Sequence, residues 1–79
     1  MQDIFVMVKC DLGKVYEVAA AVVDNIDPPP TTYSISGRYD LMLIFHLDSD
    51  IDVGHFVTKK VQTIPNIRDT YTIVGFKAF

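Results

Sequence analysis

The spacing of apolar residues changes period several times along the chain. The first apolar run covers residues 3 to 10 and is rich in β-branched side chains, which predicts a strand. After Gly13 the apolar residues recur at helical spacing, with Asp11 as the expected N-terminal cap or first-turn acid. This stripe consists of Val15, Val18, Ala19, Val22 and Ile26. The prolines at 28 to 30 must end the helix, because proline lacks the backbone donor and disfavours helical geometry in the residue before it.

The second half of the chain repeats this order. We expect a second strand over residues 31 to 37 and a third over residues 40 to 47, joined by a short turn that is typical of a β-hairpin. The acidic segment 48 to 52 supplies capping groups for a second helix. Its apolar stripe consists of Val53, Phe56, Val57, Val61 and Ile64. Pro65 ends this helix, and a strand of high β propensity covers residues 67 to 79.

The predicted order is therefore βαββαβ, two βαβ units joined by a hairpin. This order indicates an α+β protein of ferredoxin-like topology with a four-stranded antiparallel sheet. Both helices should cover the same face of that sheet, because βαβ crossovers are right-handed almost without exception. A chain of 79 residues has room for one domain, which we expect to span residues 1–79.

The sheet face away from the helices is predicted to be apolar as well. In the first strand Phe5 and Met7 alternate with the side chains assigned to the core, and in the third strand Met42 and Ile44 do the same. A solvated face of an antiparallel sheet normally carries polar residues at these positions. We therefore expect this second face to lie in a homodimer interface or against a ligand.

Composition narrows the classes of function. Ten acidic and seven scattered basic residues give a net charge of −3, which argues against direct binding of nucleic acid. No apolar run reaches the roughly eighteen residues of a membrane span, and the N-terminus has no signal-peptide pattern. Cys10 is the single cysteine and forms no zinc-binding pattern with His46 and His55, so neither a metal nor another cofactor is expected. These features predict a cytoplasmic protein that gains stability by oligomerisation.

Two segments resemble one known family. Residues 33–43, Tyr-Ser-Ile-Ser-Gly-Arg-Tyr-Asp-Leu-Met-Leu, resemble the [apolar]-[ST]-G-x-[YF]-D-[apolar] run of the Lrp/AsnC ligand-binding module, also called the RAM domain. Residues 64–72, Ile-Pro-Asn-Ile-Arg-Asp-Thr-Tyr-Thr, resemble that family's entry into the last strand. The element order also agrees over the whole chain, and two motifs at this separation are a fairly specific signal.

The resemblance implies a regulatory module that senses amino acids and assembles as dimers and then rings of dimers. In this family the module normally follows a helix-turn-helix, whereas this chain begins directly with the first strand. The resemblance therefore implies a stand-alone module of the transcription-regulator type that does not itself bind DNA. Such a module is expected to bind an effector or to co-assemble with full-length Lrp/AsnC regulators. The run of three prolines departs from the family's usual glycine-containing turn.

The turn between the second and third strands is the main predicted site. By resemblance, the effector lies against this loop at the contact between dimers. Glycine allows the backbone amides to approach a carboxylate, a neighbouring carboxylate can receive an α-ammonium group, and arginine can pair with a ligand carboxylate. Hydroxyl groups on one face of the last strand can reach the same ligand. The predicted ligand-binding residues are Gly37, Arg38, Tyr39, Asp40, Thr70 and Thr72.

Structural roles explain several of these residues equally well. Gly37 can simply close a hairpin that Asp40 caps, Arg38 can be solvated, and ordinary β propensity accounts for both threonines. Cys10 is expected to be a small buried hydrophobic residue rather than a reactive thiol.

A second class of function shares the predicted topology. Dimeric α/β-barrel enzymes of the small monooxygenase or isomerase kind also bury the second sheet face, and His46 is the strongest candidate for a base there. The sequence marks no nucleophile and no carboxylate pair, so no catalytic residue is predicted and a non-enzymatic role is preferred. ACT-like domains bind amino acids too, but normally sit on larger enzymes. The sheet lacks the paired aromatics of RNA-binding domains with the same topology.

Overall fold

The computed structural model describes residues 1–79. Its elements are β1 (Gln2–Cys10), α1 (Val15–Asn25), β2 (Thr31–Ser34), β3 (Leu41–Leu47), α2 (Val53–Phe56) with a π-helical continuation (Val57–Val61), and β4 (Ile67–Gly75). The strands form one sheet in the order β2-β3-β1-β4, and all neighbouring strands are antiparallel. The structure confirms the predicted ferredoxin-like βαββαβ fold.

The core lies between the helices and one face of the sheet. Val18 and Val22 from α1 and Val57 and Val61 from the π-helical segment pack into a single cluster with alternate residues of β1 and β3. These strand residues are Ile4, Val6, Val8, Cys10, Leu41, Leu43, Phe45 and Leu47. Both helices therefore cover the same face, as right-handed crossovers predict.

Two strands are shorter than the sequence predicted. β2 ends at Ser34 and not at residue 37, because the chain turns there: the Ile35 amide donates to the Asp40 carbonyl at 2.9 Å and Gly37 has a φ of 102°. β4 ends at Gly75 and not at residue 79. Gly75 pairs with Asp3, so β1 has almost no further residues to which the tail could bond.

The start of α1 also differs from the prediction. Asp11 does not cap the helix, which begins at Val15 after Lys14, a residue without a capping side-chain bond. Asp11 instead bonds through its main chain: its amide donates to the Asn66 carbonyl at 2.9 Å, and its carbonyl accepts from the Lys14 amide at 3.0 Å. The residue thus joins the end of β1 to the start of β4.

The second helix begins as predicted and then changes its hydrogen-bond period. Asp52 in the acidic segment caps α2, because its Oδ1 accepts a hydrogen bond from the His55 amide at 2.9 Å. From Val57 the turn widens, and the Gln62 amide donates to the Val57 carbonyl, five residues earlier, at 2.9 Å. The predicted stripe still faces the core, although Val57 and Val61 are π-helical and Ile64 lies in the turn after the helix, which ends at Val61 and not at Pro65. No helix of the structure has the length and hydropathy of a transmembrane span.

The sheet face away from the helices, called the open face below, is apolar as predicted. Its residues form rows across β3, β1 and β4: Ile44 pairs with Phe5 and Phe5 with Ile73, and in the next row Met42 pairs with Met7 and Met7 with Tyr71. A polar cross-strand pair lies on either side of the two apolar rows. Asp3 pairs with His46 before the first row, and Lys9 pairs with Asp69 after the second.

Candidate functional site

The predicted turn lies at the end of the sheet where β1, β2 and β3 meet. Gly37 has a φ of 102°, a left-handed conformation that residues with a Cβ rarely adopt. A Cβ placed on Gly37 would meet no atom within 4 Å, so the space around it is open. Glycine is therefore favoured here by backbone conformation and not by close packing.

Asp40 fastens this turn to β1. Its carboxylate Oδ2 accepts a hydrogen bond from the Cys10 amide at 2.8 Å, and its own amide donates to the Val8 carbonyl at 2.9 Å. The Lys9 ammonium lies 3.9 Å from the same Oδ2. Asp40 therefore has a structural role, because its two hydrogen bonds hold the turn against β1.

Replacing Asp40 by alanine is expected to lower the free energy of unfolding by about 1–3 kcal/mol, because the Cys10 amide loses its acceptor. Asp40→Asn keeps an oxygen at this position and should cost less. Urea unfolding of both variants at one protomer concentration measures the two losses. Equal losses would show that the charge, and not the hydrogen bond, holds the turn.

A cleft of about 410 Å³, called the turn cleft below, opens beside the turn. Its lining residues are Lys9, Arg38, Tyr39, Arg68 and Asp69. The Tyr39 ring stacks on Tyr71, with ring centroids 6.2 Å apart and an interplanar angle of 22°. Because Tyr71 lies on the open face, the turn cleft adjoins the rim of that face.

Arg68 reaches the turn cleft because β4 contains a bulge. Lys9 pairs with Asp69 whereas Cys10 pairs with Ile67, so Arg68 is an extra residue opposite β1. In a regular ladder Arg68 would pair with Cys10 and face the core. The bulge places Ile67 against the core and leaves Arg68 exposed, as bulges commonly re-aim a side chain. The sequence alone did not point to Lys9, Arg68 or Asp69.

The two predicted threonines lie on the other face of β4. Thr70 pairs with Val8 and Thr72 with Val6, so both face the helix side of the sheet. The Thr70 hydroxyl accepts a hydrogen bond from the Gln62 side-chain amide at 2.8 Å. Thr70 also lines a neighbouring cleft of about 310 Å³, which shares Arg68 and Asp69 with the turn cleft. Thr72 lines neither cleft, so the structure separates the threonines from Arg38 and Tyr39.

The other two side chains that could take part in chemistry, His46 and Cys10, lie far apart in the fold. His46 lies on the open face as predicted, at the end away from the turn cleft, with its Nδ1 2.7 Å from Oδ1 of Asp3. Cys10 is 3% exposed in the core, as expected for a small hydrophobic residue. Burial raises the pKa of the Cys10 thiol, and the nearby carboxylates of Asp40 and Asp11 raise that pKa further. The thiol is therefore protonated at neutral pH and is a poor nucleophile.

Comparisons with known proteins give a consistent result. Residues 3–79 match the family model of the Lrp/AsnC ligand binding domain. A hypothetical protein from Pyrococcus horikoshii, PHS023, has a similar structure, with a TM-score of 0.81 and 27% identity over 98% of this chain and 92% of that chain. No curated protein matches the sequence.

Two regulators share the fold at lower identity. AsnC from E. coli aligns with a TM-score of 0.79 and 24% identity over 96% of this chain and 51% of that chain. The transcriptional regulator NMB0573 from Neisseria meningitidis, solved as an L-Met complex, aligns with a TM-score of 0.76 and 20% identity over 98% of this chain and 51% of that chain. In both cases the similarity covers about half of the regulator.

Proposed function

Because this chain belongs to the Lrp/AsnC ligand-binding domain family, we propose that it is a regulatory module that binds an amino acid effector in the turn cleft. The observation that carries the proposal is the lining of that cleft. It combines cationic side chains, one carboxylate and an aromatic ring at the end of the turn that the sequence marked. The regulator NMB0573, about half of which shares this fold, was solved as an L-Met complex, which supports an amino acid as the class of ligand.

Each part of an amino acid has a partner in this cleft. Arg38 can pair with the α-carboxylate through two parallel hydrogen bonds. Asp69 offers a carboxylate to the α-ammonium group, and the Tyr39 ring offers an apolar surface to the side chain. Gly37 and Asp40 hold the loop in place, and Asp40 uses only Oδ2 for its bond to β1. We place Thr70 in the adjoining cleft, next to the ligand and not in direct contact with it, and we place Thr72 outside the site.

We further propose that a second copy of the chain covers the open face. An isologous dimer places the same apolar rows against each other, so the surface is its own complement. The turn cleft then lies at the rim of the dimer, where a further dimer or a full-length Lrp/AsnC regulator can reach it. The chain carries a net charge of −3, so we expect any contact with DNA to be made by such a partner.

A thermal-shift screen over the twenty amino acids, combined with native mass spectrometry, tests the proposed effector class. A bound effector at about a hundred times its Kd stabilises the folded state by about 2.7 kcal/mol. For a domain of this size that corresponds to a rise in Tm of roughly 10–20 °C. Native mass spectrometry should show the ligand bound to assemblies that contain an even number of protomers.

Arg38→Gln should abolish this rise in Tm, whereas Lys60→Gln on the π-helical segment should leave it unchanged. Lys60 lies outside the turn cleft and carries the same charge. Absence of any shift across all twenty amino acids would contradict an amino acid effector.

One observation favours the alternative of a dimeric α/β-barrel enzyme. His46 and Asp3 form a close pair on the open face, which is the arrangement of a base and the carboxylate that orients it. The neighbouring rows are apolar, however, and the single cysteine lies on the opposite face of the sheet. We therefore rank the enzyme below the regulatory module.

A further inference from the structure

The turn cleft concentrates positive charge in an acidic chain. Three of its five lining residues are the cations Lys9, Arg38 and Arg68, against one carboxylate, Asp69. In the whole chain, by contrast, seven cations face ten acids. Lys9 lies within ion-pair distance of Asp40, but neither arginine forms an ion pair. Two guanidinium groups therefore stand at the cleft with no carboxylate of the chain paired to them.

Both arginines reach this cleft through irregular backbone. Arg38 follows Gly37, whose φ of 102° sets the direction of the turn. Arg68 is the additional residue of the β4 bulge, which removes it from the core side of the sheet. The turn and the bulge, more than twenty-five residues apart along the chain, thus each place one arginine at the turn cleft. A regular ladder would place Arg68 on the core side of the sheet, away from Arg38.

We infer that the effector of this module is a small dicarboxylate, such as an acidic amino acid, and not a neutral amino acid. The inference rests on the proposed function, because it names the ligand class of the same cleft. The single carboxylate of a neutral amino acid satisfies one guanidinium and leaves the other unpaired. An acidic amino acid presents two carboxylates to Arg38 and Arg68 and its ammonium group to Asp69.

L-Glutamate and L-glutamine provide a matched pair of probes, because they have the same size and differ in one charge. In calorimetric titration of the full chain at low ionic strength, we expect L-glutamate to bind at least about tenfold more tightly than L-glutamine. The ratio should fall as salt is added, since exposed charges are screened. L-Aspartate and L-asparagine repeat the comparison for a shorter side chain.

Arg68→Gln should remove the preference for L-glutamate. Lys77→Gln removes the same charge from the tail beyond the other end of β4 and should keep the preference. Circular dichroism of both variants verifies that the fold is retained.

Glutarate, which lacks the amino group, separates this inference from the proposed function. Binding of glutarate but of no amino acid, lost in Arg68→Gln, would support the dicarboxylate class and overturn the amino acid effector. Binding of L-glutamine or L-methionine as tightly as L-glutamate would overturn the dicarboxylate class and leave the proposed function standing. Binding of none of these probes would overturn the dicarboxylate class, and the proposed function falls as well when none of the twenty amino acids gives a thermal shift.

Discussion

Replacing Ile73 by lysine is expected to convert the protein from a dimer into a monomer at micromolar concentration. Ile73 is 41% exposed in the single chain and belongs to the row that crosses the open face through Phe5 and Ile44. In an isologous dimer each substitution occurs twice, so two ammonium groups would enter one apolar interface. Burying an unpaired ion costs several kcal/mol, and about 4 kcal/mol corresponds to a thousandfold rise in Kd. Sedimentation velocity measures the change directly.

Tyr16→Lys is the matched control for this experiment. Tyr16 is a large side chain on α1, on the helix side of the sheet, and is 84% exposed. The same lysine there should leave the dimer intact. A dimeric Ile73→Lys variant together with a monomeric Tyr16→Lys variant would place the interface on the helix side. A monomeric wild-type protein at micromolar concentration would contradict the dimer itself.

The small core is one reason to expect a second copy of the chain on the open face. Only 15 of its 79 residues are buried in the single protomer, and no disulfide links the strands because Cys10 is the only cysteine. Domains of this length bury a smaller share of their surface than larger ones and are marginally stable alone. The apolar rows of the open face supply a second hydrophobic layer when two copies meet. Assembly and folding are therefore expected to be coupled.

The two sides of the sheet could be predicted from the sequence because strand geometry has a strict period of two. Once Val6 is assigned to the core, Phe5 and Met7 must lie on the opposite face, and pairing with β3 extends the pattern to Met42 and Ile44. Nothing outside the strands is needed for this step. The helices follow in the same way from their apolar stripes, since one face of each must be buried.

The cleft could be predicted only in part. Arg38 belongs to a recognisable turn segment, so the sequence points to it directly. Lys9 and Asp69 become neighbours through pairing of strands that are sixty residues apart. The bulge at Arg68 inserts one residue into a segment where Thr70 and Tyr71 both suit either face, so the apolar pattern does not show it.

The ends of the strands and helices are set by contacts with other parts of the fold, and local propensity does not predict them. The tail after Gly75 has strand-forming residues, but β1 begins at Gln2 and leaves them without a neighbouring strand. The spacing of Val57 and Val61 suits an α-helix and a π-helix alike, so the widened turn could not be read from it. Asp11 looked like a cap, yet its main chain is used in the contact with Asn66.

Replacing Phe45 by alanine is expected to reduce the free energy of unfolding by roughly 3–5 kcal/mol. Phe45 is 2% exposed on the core side of β3, and its ring meets that of Phe56 edge-on, with centroids 5.0 Å apart at 77°. The substitution removes apolar burial and leaves a cavity, and it also removes an aromatic pair worth about 0.5–1.5 kcal/mol. Because a small domain has only about 5–15 kcal/mol in total, much of the stability would be lost.

Urea unfolding measures this loss at one fixed protomer concentration, since the stability of a dimer depends on concentration. Phe76→Ala makes the same change at a side chain that is 87% exposed, beyond the end of β4, and should stay within about 0.5 kcal/mol of the wild type. A cost below about 1 kcal/mol for Phe45→Ala would mean that the core between β3 and α2 collapses onto the cavity. In that case the contact between Phe45 and Phe56 would not be what positions α2 against the sheet.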